Sequence, residues 1–504
     1  MTPNTEIELK FLLRPGRMDA LLRAPALLAA GDPQISNLRA VYFDTPDLAL
    51  RRKGVVLRLR HDGRRTVQTV KSAGTALGRG EWESVVAGDQ PDLAAAKGSP
   101  AEILLDKSRI RNELRPVFTV EVERRTLLLE RDGSLVEAAL DTGVIRAGDE
   151  EHALCELELE LKRGSPEALF AAAREIAPHG RGVLSFTSKS ERGYRLLRGE
   201  LGAPRKKPAF DVCETMSAGE AAFHIGQRCA AALFDNCELL LATRDVEALH
   251  QARVSARRLR AFWSLFGPVL DGAHGDAPEE GLKWISGLLG EARDLDVFLA
   301  ETLPAARNAH PDAAGFDGLE RAISDRRDAS YDALEQALES ERFLAMSLDL
   351  ARALAADGLD AGMRSRPVLD VVRGALDRRL RKVLKQGDDL AALDADERHR
   401  VRIRAKKLRY MVEPFEGLAP RKDFKRLLEG LNDLQDELGA MNDVRVSAAL
   451  MTGLAQDAAG IHDPRTLFAA GLIAAAPAAG AHTLLKGAQA AHDGLRRVTP
   501  FWSA

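Results

Sequence analysis

Along several short stretches of the first two hundred residues, carboxylates and cations alternate with aliphatic side chains. Glu6, Glu8 and Lys10 alternate with Ile7, Leu9 and Phe11, and Arg58 and Arg60 with Leu57 and Leu59. Glu156, Glu158, Glu160 and Lys162 alternate with Leu157, Leu159 and Leu161, while Lys71, Glu81, Glu83 and Arg124 sit in comparable runs. Any one of these stretches is accounted for by a half-buried antiparallel strand with one wet face. As a set they are acid-only or base-rich strand by strand, which a merely solvated surface does not require. A closed barrel of about eight strands encloses room for a small ligand. Charges turned inward there are tolerable only with counter-ions or metals. Clustered carboxylates are hard ligands suited to Mg²⁺, which shares its coordination with phosphate oxygens. Arginine grips phosphate bidentately and lysine acts as a point charge. Glutamates opposite arginines in one channel therefore suggest a metal–polyphosphate site, where phosphoryl transfer rests on positioning and charge neutralisation.

A second constellation is one helix written twice. HQARVSARRLRAFWSLF begins at His250 and HRVRIRAKKLRYMVEPF at His399, an offset of 149. His250 pairs with His399, Arg253 with Arg402, Arg257 and Arg258 with Lys406 and Lys407, and Arg260 with Arg409. The same offset carries Leu289-Gly290 and Asp294 onto Leu438-Gly439 and Asp443. Positions 250, 253, 257 and 260 share a helical face, and Leu259, Phe262 and Phe266 lie opposite it, as Leu408, Met411 and Phe415 do in the second copy. One such face is routinely a solvated surface with exposed ion pairs. Two of them can face each other across a pseudo-twofold axis and line one groove for a polyanion. Each histidine could donate to a phosphate oxygen or gain a proton beside it; no pattern around them completes a metal site. Aromatic residues are 5% of the chain and do not interleave with the cations as base-stacking platforms would, which disfavours nucleic acid as partner.

The elements that must position these groups change character near residue 198. Before it, period-two runs are separated by turn dipeptides such as Asp62-Gly63 and Asp132-Gly133, predicting an antiparallel β-barrel of about eight strands with flanking helices over 1–198. Residues 199–212 read as a Pro- and Gly-rich linker. From 213 to 504 the period is 3.6, predicting an all-α domain of two pseudo-twofold-related helical bundles. The fold class is thus α+β with two domains. Net charge is only −3, so any basic site is local rather than a global field. Four cysteines without metal-type spacing suit a reducing compartment. No secretory pattern opens the sequence, and the apolar stretch from Leu467 to Ala481 is short of the roughly 20 residues a membrane span needs. A cytoplasmic location without membrane attachment is expected.

The E-x-E-x-K opening, followed in order by VYFDTP at Val41, LRLR at Leu57, TVQTVK at Thr66, RGEWE at Arg79, ERRT at Glu123, ALDTG at Ala139, CELELELK at Cys155 and SKSERGY at Ser188, resembles the CYTH superfamily of triphosphate tunnel metalloenzymes. The resemblance implies catalytic roles for Glu6, Glu8, Lys10, Glu158 and Glu160. It implies Mg²⁺ or Mn²⁺ held by Glu6, Glu8, Asp141, Glu158 and Glu160, with Glu156 on the same ligand face. Lys10, Arg58, Arg60, Lys71, Arg124 and Lys189 would hold the phosphates. The repeated H-x-x-R-V/I-x-x-R/K-R/K-L-R helix resembles the CHAD domain, which implies inorganic polyphosphate binding by His250, Arg253, Arg257, Arg258, Arg260, His399, Arg402, Lys406, Lys407 and Arg409. Together the resemblances imply hydrolysis of inorganic triphosphate to pyrophosphate and phosphate, with long-chain polyphosphate as a partner that could hold the enzyme at polyphosphate granules. A hydrolase or cyclase acting on an organic triphosphate (thiamine triphosphate, a nucleotide or an RNA 5′ end) in the same tunnel, or a non-catalytic polyphosphate-binding protein, are the competing expectations. No protein partner is indicated.

Overall fold

The alternating stretches are strands. The computed structural model describes all residues except 1–3, 6, 73–79, 268–276, 355–360, 457–462, 476–480 and 504. The strands are β1 (Asn4–Thr5), β2 (Glu8–Leu12), β3 (Gln34–Asp44), β4 (Val55–His61), β5 (Thr66–Ser72), β6 (Gly80–Val86), β7 (Arg115–Arg131), β8 (Ser134–Ala147), β9 (Glu150–Arg163) and β10 (Val183–Ser185). They pair in the order β1-β6-β5-β4-β3-β7-β8-β9-β2-β10. β1 and β2 are neighbours in the chain yet sit near opposite ends of that order, β1 on β6 and β2 on β9, so these two strands close the sheet into a ring. Its wall has eight positions: β6, β5, β4, β3, β7, β8, β9 and the β1–β2 stretch. The long β7–β8 hairpin turns at Asp132-Gly133, both at positive φ (46° and 75°), the geometry whose twist matches antiparallel strands.

The aliphatic parity points outward, under helices. Leu9, Phe11, Leu157 and Leu159 pack against Leu169, Phe170, Ala173 and Ile176 of the Pro166–Gly180 helix. On the other side Leu57, Leu59 and Val70 pack beneath Leu104 and Leu105 of the Pro100–Leu105 helix. The apolar core of the barrel therefore lies between its outer wall and its helices, and the charged parity is left to the lumen.

By contacts the chain divides into two compact units. The first comprises Met1–Arg205 with Cys237–Leu239 and Leu338–Asp357, and the second the remainder. Residues 338–357 fall within the span assigned to the helical domain from sequence, yet their Glu341–Ala353 helix completes the barrel's core. Leu344, Leu348 and Ala351 join the same cluster as Leu169 and Phe170. Arg174 donates to Asp349 at 2.9 Å and Arg352 to Glu167 at 2.8 Å. Leu348 is fully buried, so Leu348→Ala should destabilise the first unit by about 2–5 kcal/mol. Urea unfolding followed by a β-sheet signal measures this; an unshifted midpoint would mean that the helix is not part of that core.

The second unit is helical. Its two basic helices are Val246–Phe266 and Ala395–Val412. Each begins at an aspartate cap: Asp245 accepts from Ala248 N at 2.6 Å and Asp394 from Glu397 N at 2.7 Å. Such caps satisfy amides that a helix start leaves unpaired. The first basic helix packs on Ala277–Val297 and the second on Arg421–Gln456, and the two basic helices pack on each other. The duplication in sequence is thus a helix pair repeated in space. Among the described residues no helix is long and apolar enough to cross a membrane.

Candidate active site and candidate polyanion groove

Inside the barrel one cavity of about 1070 Å³ is lined by Glu8, Lys10, Arg58, Arg60, Lys71, Arg124, Glu158, Glu160 and Lys189. These are the barrel residues singled out from sequence, save three. Glu6 lies outside the described residues, and Asp141 and Glu156 are buried in the wall. Strand register brings the acids together in layers. Asp141 pairs with Glu156 and with Arg124 across its two neighbours, Glu158 with Lys10 and Ala139, and Glu160 with Glu8 and Glu137. Carboxylate oxygens of Asp141, Glu156 and Glu158 all lie within 4.8 Å of one another, a donor set that fits a hard divalent cation.

Three cations hold that cluster. Arg124 donates to both Asp141 oxygens at 2.8 and 2.7 Å and to Glu158 at 2.8 Å, so Arg124 points inward while Arg125 turns to Glu123. Lys189 Nζ lies 2.8 Å from Asp141 and 3.1 Å from Glu158, and also pairs with Glu156. Lys10 pairs with Glu8 and stands 3.6 Å from Glu158. Burial alone would raise all three carboxyls. For Glu158, Lys189, Lys10 and Arg124 outweigh burial and hold it well below the usual range. For Glu156, burial, with Glu158 and Asp141 adding to it, prevails over Lys189, and its pKa is pushed up to about 7. The cluster is thus short of positive charge at Glu156, the deficit a cation would relieve.

The opposite wall is basic but self-paired. Lys71 meets Glu81 at 2.9 Å, Arg58 meets Glu81 at 3.6 Å, and Arg60 meets Glu83 at 3.4 Å. Glu81 and Glu83 were visible as alternating acids without an assigned role. Glu137 and Lys162, which also line the cavity, carried a weaker signal. Glu137 shares the parity of Asp141 on β8, so two-residue steps back from Asp141 reach it.

In the second unit His250, Arg253, Arg257, Arg260, His399, Arg402, Lys406 and Lys407 line one groove of about 590 Å³. Acids are few there: Asp294, which meets Arg253 at 3.0 Å, Glu301 and Asp443. Among the described residues the buried Nε atoms of Arg257, Arg260 and Arg402 and the Nδ1 atoms of His250 and His399 have no hydrogen-bond partner, an arrangement that leaves the arginine donors waiting for an acceptor. The repeated glycines lie beside the arginines, at distances where a Cβ would make ordinary van der Waals contact. A Cβ on Gly290 would stand 3.9 Å from the Arg253 guanidinium, and one on Gly439 would stand 3.6 Å from that of Arg402.

Arg258 and Arg409, expected from the repeat to contact polyanion, do not line this groove. Both are committed to buried Glu413, at 3.4 Å and 2.8 Å. Both also lie over the Tyr410 ring, at 5.3 and 4.6 Å from its centre. The sequence offset places Ser264 where the second copy has Glu413, so the anchor exists in one copy only. Two residues absent from the sequence-derived set do line the groove, Arg293 and Arg445. Burial, then Arg293, lowers His250; burial, then Arg445, lowers His399. The offset of 149 carries Arg293 onto Asn442 rather than Arg445. The second arginine has moved about one helical turn, which keeps it beside its histidine while hiding it from alignment.

A ring-closed antiparallel barrel with a charged lumen, in one chain with a helical unit built on a repeated basic helix, defines a two-domain tunnel-barrel protein. Residues 4–194 match the CYTH domain and residues 224–452 the CHAD domain, and the chain belongs to the proteins that combine the two. A curated relative, the inorganic triphosphatase of Haemophilus influenzae, is 30% identical over 232 residues, covering 42% of this chain and 64% of that protein. The match spans less than two thirds of the relative's length. The crystal structure of the CHAD domain from the plant Ricinus communis superposes with a TM-score of 0.52 at 30% identity, covering 59% of this chain and 98% of that one. The helical half therefore shares that fold.

Proposed function

We propose that the barrel hydrolyses inorganic triphosphate to pyrophosphate and phosphate with Mg²⁺ or Mn²⁺, and that the helical groove holds inorganic polyphosphate. The observation that carries the catalytic part is the enclosure of an acidic and a basic wall in one wet lumen, and the triphosphatase relative supports it. Lys10, Arg58, Arg60, Lys71 and Arg124 would bind phosphate oxygens, the arginines through their planar forks. Asp141, Glu156 and Glu158 would hold the cation, with Glu8 and Glu160 one layer along. A bound divalent cation neutralises phosphate oxygens and acidifies coordinated water. The chain's own groups fix the triphosphate in line for water to attack a terminal phosphorus, breaking the bridging P–O bond and releasing pyrophosphate. Phosphate release from tripolyphosphate should be abolished by EDTA and restored by Mg²⁺ or Mn²⁺, and it should exceed release from ATP or thiamine triphosphate. Equal turnover of the organic compounds would refute the inorganic specificity.

Unpaired donors around the groove support the polyphosphate part, with Arg293 and Arg445 joining the eight lining residues named above. Such a groove would keep the enzyme at polyphosphate bodies in the cytoplasm. Truncating the chain after the barrel would strip Leu344 and Leu348 from its core, so the division of labour is better tested in the full chain. Arg257→Glu with Lys406→Glu should weaken retention of long polyphosphate at least about a hundredfold through lost and reversed charge, while tripolyphosphate turnover stays within twofold. Retention that survives both reversals would refute the groove as the binding site.

A further inference from the structure

We propose that Lys189 is a resident counter-ion of the carboxylate cluster, and that a divalent cation displaces its ammonium into the lumen, where a phosphate oxygen receives it. This rests on the assignment of Asp141, Glu156 and Glu158 to the cation. Among the described residues Lys189 is the single cation that touches all three of those residues. Arg124 touches two and is held by three hydrogen bonds in a planar fork, and Lys10 keeps Glu8 as its own partner.

Counting Glu8, four carboxylates face Arg124, Lys10 and Lys189, one positive charge short, so a divalent ion would overshoot the deficit by one. A divalent ion entering the same 4.8 Å cluster while the ammonium stayed would place like charges at contact distance with little solvent between them. One cation must leave, and the side chain of Lys189 can do so without moving the backbone. Lys189 is the first residue of the Lys189–Leu197 helix, whose Ser188 cap accepts from Glu191 N, so its Cα is fixed. Its side chain is flexible and lines the open cavity. The displaced ammonium would then meet the substrate that arrives with the metal. Lys189 is thus a positioning residue in the metal-free protein and a phosphate ligand afterwards.

The test is Mn²⁺ affinity of the full chain without substrate, read from the electron paramagnetic resonance of free Mn²⁺. Lys189→Met and Lys189→Gln should each bind Mn²⁺ at least tenfold more tightly than the wild type, because the competing charge is gone; Lys189→Arg should not. Adding tripolyphosphate should shrink or reverse that advantage, since the wild-type ammonium then has an acceptor. Thermal melting in EDTA should show both neutral variants folded but less stable than the wild type. Equal or weaker Mn²⁺ binding by both folded neutral variants overturns the exchange. If Glu158→Gln abolishes Mn²⁺ binding in that same experiment, the metal assignment stands and the exchange alone fails. If Glu158→Gln leaves Mn²⁺ binding unchanged, the cluster is not the metal site and both readings fall.

Discussion

Glu158→Gln should lower tripolyphosphate turnover by about a thousandfold, roughly 4 kcal/mol of barrier, while leaving the barrel folded. Glu158 is the carboxylate on which Lys10, Arg124 and Lys189 converge, and it belongs to the candidate cation set. An isosteric amide keeps the volume and removes the charge on which three cations proposed to bind phosphate converge. On the proposed assignment two effects would act together: the divalent ion would lose one of three ligands, and Lys10 and Arg124 would lose the anion that orients them. Removing one member of a buried pair can itself cost about 3–5 kcal/mol of stability. Here the loss is moderated because Arg124 keeps both Asp141 oxygens and Lys189 keeps Asp141 and Glu156. Circular dichroism and a melting curve therefore separate collapse from lost chemistry. A folded variant retaining a tenth of wild-type turnover would remove Glu158 from the catalytic machinery. Glu83→Gln makes a useful contrast. Glu83 pairs with Arg58 and Arg60 on the basic wall, so its loss should alter triphosphate affinity far more than the dependence on metal.

Period-two alternation fixes that strands exist and which residues share a face, and here both were legible for β2, β4 and β9. It does not say which face is inside. That choice is made by the Pro100–Leu105, Pro166–Gly180 and Glu341–Ala353 helices, which cover the aliphatic parity from outside. The last of these comes from far along the chain, and no local pattern announces that Leu344 and Leu348 belong with Phe170. The same holds for Arg124 and Arg125: adjacent residues on a strand face opposite ways, and the partners Asp141 and Glu123 decide which one points inward. In the helical unit the repeat located both basic helices, because 3.6-residue spacing and composition are local properties. It did not announce that Arg258 and Arg409 turn to Glu413 and Tyr410, because the first copy has Ser264 and Ala261 at those positions. It undercounted by Arg293 and Arg445, since a shift of about one turn conserves position in space and destroys it in alignment.

Polyphosphate binding should weaken about a hundredfold between pH 7 and pH 9 at constant ionic strength. In the unliganded groove Lys406 has its pKa lowered to about 7, by burial first and then by Arg257, Arg402, Arg409 and Arg253. Lys407 is lowered to about 8, by burial and then Arg379 and Arg260, with Glu279 opposing them. A polyanion stabilises both ammonium forms and raises both values, so binding above those pKa values must take up protons. The sign follows from that uptake. Below about pH 7 both lysines are already charged and affinity is nearly flat on their account, with protonation of His250 and His399 able only to strengthen it. Above pH 7 each unit costs up to about tenfold for Lys406, and above pH 8 Lys407 adds to the loss, until the pKa values of the bound state are reached. Titration of the polyphosphate chain ends near neutrality adds negative charge as pH rises and works in the opposite direction, but only at the termini, so long chains isolate the groove's contribution. Lys406→Met with Lys407→Met should bind more weakly at pH 7 and lose most of the slope between pH 7 and 9. Isothermal titration in two buffers of different ionisation enthalpy counts the protons directly, and an affinity that is flat or rises over this range would mean that the two lysines do not face the bound anion.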